Sequence, residues 1–251
     1  MIGQPPTPGV GGYVIIINMT YRKVSLSSGE YFHIFNRGNS KQKIFLDEKD
    51  RERFVKLLYL SNSKKSVNFR DDIVSQKIDA FDFDRGETLV SIGAWVLMPN
   101  HFHIYLTSPT PGVGDEEMKR NEENKSNITL FVHKLCMSYV KYFNKKYDRT
   151  GALFEGPFKS VHIENDGQAK YLFSYIHLNP LKLIDPNWKE NINKNIDITL
   201  KYLDNYNWSS YNDYYGILRK ENKILQRKDF PDYFSDIKSF KSEIFSWLKY
   251  E

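Results

Sequence analysis

Leu89-Val90-Ser91-Ile92-Gly93-Ala94-Trp95-Val96-Leu97-Met98, then Pro99-Asn100, then His101-Phe102-His103-Ile104-Tyr105-Leu106-Thr107 is the stretch on which the fold turns. Two β-rich runs split by a Pro-Asn pair predict a hairpin. Side chains alternate along a strand, so His101 and His103 share one face while Phe102 points into the opposite layer. Upstream, residues 31–36 (Tyr-Phe-His-Ile-Phe-Asn) predict a strand ended by Arg37-Gly38-Asn39. Asp47 predicts the cap of a helix running through Leu60, with Phe54, Leu57 and Leu58 at helical spacing. Downstream, 128–147 predicts an amphipathic helix with Phe131, Leu135, Tyr139 and Tyr142 along one face. Residues 153–163 suit a strand or hairpin, and 168–178 a third helix. Strands and helices interspersed around a hairpin predict an α+β domain built on an antiparallel sheet.

Composition bounds the function. Hydrophobic residues make up 40% and charged residues 27% of the 251, which excludes a disordered chain and a membrane bundle. The longest aliphatic run, Val14 to Ile17, falls far short of the ~20 apolar residues that a spanning helix needs. A single cysteine, Cys136, excludes an intrachain disulfide framework and any multi-cysteine metal site. The balance of 36 Lys and Arg against 31 Asp and Glu is a weak pointer to a polyanion, because interspersed charge is the ordinary solvated surface. Aromatics, at 15%, point the same way only in part, since bases stack on exposed rings but most rings are core.

Residues 1–29 read as a low-complexity N-terminal segment, within which Met19 offers an alternative start. The string Pro-Thr-Pro-Gly-Val-Gly occurs at 6–11 and again at 109–114, and both copies are expected on the surface. Residues 62–86, carrying Asp71, Asp72, Asp79, Asp82 and Asp84, and residues 109–127 read as long excursions. The acidic one is expected to lie away from any path taken by a polyanion. No Gly-x-x-x-x-Gly-Lys-Ser/Thr phosphate loop is present.

Two imidazoles on one strand face can converge on a divalent ion, although a His-x-His pair alone more often gives hydrogen-bonded histidines. A second segment, Tyr171-Leu172-Phe173-Ser174-Tyr175-Ile176-His177-Leu178-Asn179-Pro180-Leu181-Lys182, predicts a helix ending near Pro180. Tyr175 and Asn179 then sit one turn apart on one face. Taken singly, Tyr175 reads as a half-buried aromatic and Asn179 as a helix-end residue.

Four motifs in order carry a resemblance. They are Phe35-Asn36-Arg37-Gly38, Val96-Leu97-Met98-Pro99-Asn100-His101-Phe102-His103, Gly151-Ala152-Leu153-Phe154-Glu155-Gly156-Pro157-Phe158-Lys159-Ser160 and Tyr175-Ile176-His177-Leu178-Asn179-Pro180. Over about 30–183 the chain resembles the single-tyrosine HUH transposases, in particular the REP-associated tyrosine transposases. Tyr206-Asn207-Trp208-Ser209-Ser210-Tyr211 is similar to a signature found downstream in the same proteins. The resemblance implies an α+β fold: a ferredoxin/RRM-like antiparallel sheet with helices on one side, the histidines on a central strand and the tyrosine on a helix beside it. It divides the chain into the N-terminal segment, a transposase domain over 30–184 and a C-terminal helical extension over 185–251.

The same resemblance implies Tyr175 as nucleophile and His101, His103 and Asn179 as ligands of Mg²⁺ or Mn²⁺. The implied reaction is transesterification of single-stranded DNA bearing a REP-like hairpin, through a 5′-phosphotyrosine link and a free 3′-hydroxyl. A tyrosine with a pKa of ~10 is only about 0.1% phenolate at neutral pH, so the nucleophile needs a cation or base beside it. Two imidazoles and an amide would leave a bound ion its full charge. Arg37, Lys159 and Lys182 are the expected phosphate contacts, and each reads equally as a solvated cation. Pro157 stands where relatives carry arginine, which removes one such contact. His177 is expected to point away from the site, and Trp208 and Tyr211 either stack on bases or pack in the core. The implied protein is cytoplasmic and nucleoid-associated, has no membrane partner and is a monomer or homodimer. Two rival readings are an HUH replication initiator or relaxase and a domesticated, non-catalytic hairpin-binding regulator. The tyrosine-helix context opposes the first, and the intact His101, His103, Tyr175 and Asn179 oppose the second.

Overall fold

The computed structural model describes residues 25–109, 126–188, 196–232 and 236–248. Both copies of the repeated hexapeptide fall almost wholly outside the described residues. Among the described residues four strands, β1 (Tyr31–Arg37), β2 (Ser91–Met98), β3 (His101–Thr107) and β4 (Lys159–Ile163), form one antiparallel sheet in the order β2-β3-β1-β4. Met98 pairs with His101 across Pro99-Asn100, so the hairpin turns at the residues that the sequence marks. Helix α1 (Glu48–Leu60) connects β1 to β2, and α2 (Asn127–Lys146) connects β3 to β4. This is the expected α+β architecture, with each helix carrying the chain past one intervening strand.

Alternation along the strands sorts the residues into two layers. Phe102, Ile104 and Leu106 of β3 join Phe32 and Ile34 of β1 under α1 and α2. All eight residues of β2 are buried because that strand is covered on both faces. The expected placement of helices on one side holds for α1 and α2; the opposite face is covered by later elements. These are α3 (Asp166–Leu178), α4 (Ile196–Asp204), the short α5 (Tyr211–Tyr214) and α6 (Ile237–Leu248). Leu172, Phe173 and Ile176 of α3 pack on Ala94, Val96 and Tyr105, together with Tyr211, Tyr214 and Phe240 of the C-terminal region.

Helix α1 begins with a capping box in which Asp47 and Asp50 each bond the other's backbone N–H. Asp50 is fully buried and also accepts from the Tyr142 and Tyr147 hydroxyls and from Lys146 Nζ, at 3.1, 2.7 and 2.7 Å. These bonds tie the start of α1 to the end of α2. The core stripe of α2 runs Phe131, Leu135, Tyr139, Phe143. Phe143 takes the innermost place in the last turn expected of Tyr142, whose polar tip instead reaches the buried Asp50.

The stretch 206–211 closes the free edge of β2. Leu97 N–H donates to Trp208 O at 2.8 Å and Ser210 N–H to Trp95 O at 2.9 Å, so the strand presents fewer unpaired groups to a foreign chain. Farther along β2, a bulge in its pairing with β3 falls between Ile92 and Ala94. Gly93 there leaves room for the Phe230 ring, which a Cβ would meet at 2.7 Å. The acidic excursion places Ile73, Ala80 and Phe81 in the layer under α1 and α2, across the sheet from His101 and His103. Asp79 and Asp82 pair there with Lys220, and Asp82 also with Lys223.

His177 faces the second core, where its Nε2 meets Ser210 Oγ at 2.8 Å among the rings of Phe173, Tyr214 and Phe240. Burial lowers its pKa from 6.5 to about 3. Unfolding therefore takes up a proton between those values, and this contribution to stability is complete above pH 6.5 and lost as pH falls toward 3. At about pH 4.5 the loss from this one group is on the order of 2–3 kcal/mol. Urea titrations at about pH 7.5 and 4.5 should show a smaller acid loss for His177→Gln than for the wild type; equal losses would contradict the assignment.

Candidate active site

On β3, His101 and His103 project from the face that α3 covers, with ring centroids 4.9 Å apart and planes nearly perpendicular. Helix α3 begins at an Asn165 cap, whose side chain accepts from Gln168 N–H. It carries Tyr175 to a ring-centroid distance of 5.4 Å from His103, edge to face. Asn179, one turn later, caps the C-terminus of α3 and opens a 3₁₀ turn over Asn179–Leu183. Pro180, which lacks an N–H, ends the α-helical ladder there.

The protonation states suit ligation. Burial lowers the pKa of His101 to about 4, with Lys182 and Arg37 adding to the effect, and holds that of His103 well below 6.5. Both imidazoles are thus neutral near pH 7. His101 Nδ1 lies 2.6 Å from Asn100 Oδ1, and Asn100 Nδ2 donates to Lys41 O at 3.2 Å. That second bond orients the amide, so Oδ1 accepts and His101 carries its proton on Nδ1. Its Nε2 is left with a lone pair.

His103 Nε2 is buried and has no hydrogen-bond partner among the described residues. Asn179 is 1% exposed, and neither its Oδ1 nor its Nδ2 completes a hydrogen bond of ordinary geometry there. A buried polar atom left unpaired costs about 1–3 kcal/mol, and these stand on neighbouring elements beside Tyr175. Two imidazoles and an amide fit a divalent cation that accepts nitrogen and oxygen donors. Among the described residues, no group of three His, Cys, Asp or Glu could hold a metal ion.

Burial raises the pKa of Tyr175, while the nearby Asn179 amide opposes the rise. The resting side chain is therefore a phenol. Lys182 Nζ lies 4.8 Å from the Tyr175 ring centroid, where a positive charge favours the phenolate. Tyr171, one turn earlier on α3, holds its ring 6.3 Å from and nearly parallel to that of Tyr175, and is 40% exposed.

The expected phosphate contacts differ in standing. Lys182 is beside Tyr175 and Lys159 opens β4, half-buried. Arg37 is not a free cation: both its Nε and its Nη2 donate to the Glu155 carboxylate, the second at 2.8 Å. A phosphate would have to displace that carboxylate. Tyr211 is core and Trp208 is half-buried against the Arg51 guanidinium, so neither stands out as an exposed stacking ring.

One residue of the cluster is absent from the sequence reading. His33 of β1 meets His103 edge to edge, with ring centroids 5.0 Å apart and Nε2 to Nδ1 at 2.8 Å, and lies 6.3 Å from the Tyr175 ring. Its only sequence signal is alternation with Tyr31 and Phe35 on one face. That becomes informative once β1 is known to pair with β3 so that Phe35 opposes His103.

No protein-family model matches the chain, and no curated protein matches it. Among solved structures it is similar to that of a REP-associated tyrosine transposase bound to a REP hairpin, at 14% identity and a TM-score of 0.45. The match covers 81% of this chain and 90% of that one. A likeness at that level assigns neither family nor activity. Among the described residues no helix is long and apolar enough to cross a membrane.

Proposed function

We propose that this protein is a metal-dependent enzyme that cuts and rejoins single-stranded DNA flanked by hairpins, with Tyr175 as its nucleophile. One observation carries the reading: Tyr175 packs against His103 with Asn179 one turn away, His103 Nε2 is buried with no hydrogen-bond partner among the described residues, and the buried Asn179 amide makes no hydrogen bond of ordinary geometry there. The ordered motifs of the sequence supply the substrate class.

His101, His103 and Asn179 would hold the Mg²⁺ or Mn²⁺ ion, whose chemistry when bound is to polarise a phosphate oxygen and stabilise the charge that develops there. Tyr175 supplies the attacking oxygen. Its bond to phosphorus forms as the P–O3′ bond breaks, which leaves a 5′-phosphotyrosine ester and a 3′-hydroxyl. One proton leaves the phenol and one is taken up by the departing 3′-oxygen, so the step is balanced. Lys182 favours the phenolate, and so does the Asn179 amide one turn on. The ester conserves the broken bond, so rejoining by a 3′-hydroxyl needs no nucleotide. Lys159 and Lys182 meet the DNA backbone, and Arg37 joins them where a phosphate displaces Glu155.

The test uses the full chain with hairpin-bearing single-stranded oligonucleotides labelled at the 3′ end, in Mn²⁺ or in chelator, on a denaturing gel. A labelled, protein-sized band that requires the metal is expected. Tight hairpin binding without that band, on DNA flanking the protein's own gene, would overturn catalysis in favour of the non-catalytic regulator.

A further inference from the structure

We infer that His33 is a positioning residue that sets the tautomer of His103, accepting the proton of His103 Nδ1 and so keeping His103 Nε2 unprotonated for a ligand. The contact is the 2.8 Å approach of His33 Nε2 to His103 Nδ1, between rings inclined at 28° that meet edge to edge with centroids 5.0 Å apart. Two neutral imidazoles at that distance share one proton, and only two arrangements exist. If His33 were the donor, His103 would carry its own proton on Nε2. That atom is buried without a partner among the described residues, so either form carries a cost there, and the Lys182 ammonium over the adjoining Tyr175 ring opposes an N–H and favours a lone pair. If His103 is the donor, Nε2 presents a lone pair instead. The half-buried His33 then carries its proton on Nδ1.

The arrangement repeats what Asn100 does for His101, where an oriented amide oxygen accepts the Nδ1 proton. Both histidines of β3 are thereby held in the same tautomer by groups outside the strand: a turn residue for one, the neighbouring strand for the other. The choice of acceptor has a consequence. Metal-bound histidines commonly donate to a carboxylate or a carbonyl. A carboxylate at position 33 would place negative charge in contact with His103 and weaken the field of a cation at the site. A neutral imidazole fixes the ring and adds no charge. The value of this for cation binding rests on the proposed reading of the site; the proton placement is a property of the protein alone.

The test separates the two. In metal-free wild-type protein labelled with ¹⁵N-histidine, long-range ¹H–¹⁵N spectra should show His103 protonated at Nδ1 and bare at Nε2. A His103 protonated at Nε2 would overturn the inference whether or not the metal reading stands. In calorimetric titrations with Mn²⁺ alone, His33→Phe should bind about 10- to 100-fold more weakly than wild type. His33→Gln, whose amide oxygen can accept in place of Nε2, should bind within about threefold of wild type and keep the Nδ1–H form. Wild-type Mn²⁺ affinity in His33→Phe, which keeps a ring but offers no acceptor, would also overturn it. A wild-type protein that binds no Mn²⁺ would sink the metal reading, and the ¹⁵N measurement would still decide the role of His33.

Discussion

Tyr175→Phe is expected to abolish the covalent DNA adduct, by at least about a thousandfold, while leaving hairpin binding within a few fold. The substitution removes one oxygen atom and little else. The ring that packs edge to face on His103 and lies under Lys182 Nζ is retained, so the walls of the site stay in place. The hydroxyl's approach to the Asn179 amide, which falls short of an ordinary hydrogen bond, is lost with it, so the stability change stays within about 1 kcal/mol. The readout is a pair of measurements on the same preparation, the 3′-labelled adduct on a denaturing gel and the hairpin affinity in solution. An adduct that persists in Tyr175→Phe would move the nucleophile, and Tyr171 is the hydroxyl one turn away on the same helix. Loss of both adduct and binding would instead point to a damaged DNA surface.

The second large effect is expected from His103→Ala, which should lower metal-dependent cleavage by at least about a hundredfold at every Mn²⁺ concentration. His103 is 6% exposed and its ring touches those of His33, Phe35, His101 and Tyr175. Truncation leaves a cavity and an unpaired His33 Nε2, a cost of about 2–4 kcal/mol. Cleavage is therefore measured well below the melting temperature of the variant, with its fold checked by circular dichroism. Cleavage restored at high Mn²⁺ would mean that His103 is dispensable for chemistry, and unchanged affinity for Mn²⁺ would remove it from the ligand set.

Much of the scaffold was legible from local pattern. The Pro99-Asn100 turn, the Asp47 cap and the alternation His101-Phe102-His103 each depend on residues within a few positions of one another. Helix spacing likewise placed Tyr175 and Asn179 on one turn. Their meeting with β3 followed from the ordered motifs and not from any periodicity. Three features escaped such reading. His33 looked like an ordinary strand residue. Arg37 looked like a free cation, although it is held by Glu155, 118 residues later. The segment 206–211 gave no sign that its backbone would pair along the edge of β2.

The sequence by itself determined the strands and helices through α3, which face of β3 bears the histidines, and which residues offer an imidazole, a phenol and an amide. Those choices are set by side-chain period, capping and turn chemistry, which act over one or two turns of chain. Only the tertiary structure decided which partners those groups meet. His33 reaches His103 across 70 residues because β1 pairs with β3 in one register, and a slip of one residue would turn His33 to the other face of the sheet. That register is selected by the burial of Phe32, Ile34, Phe102, Ile104 and Leu106 under α1 and α2, a collective property of both layers that no local stretch encodes.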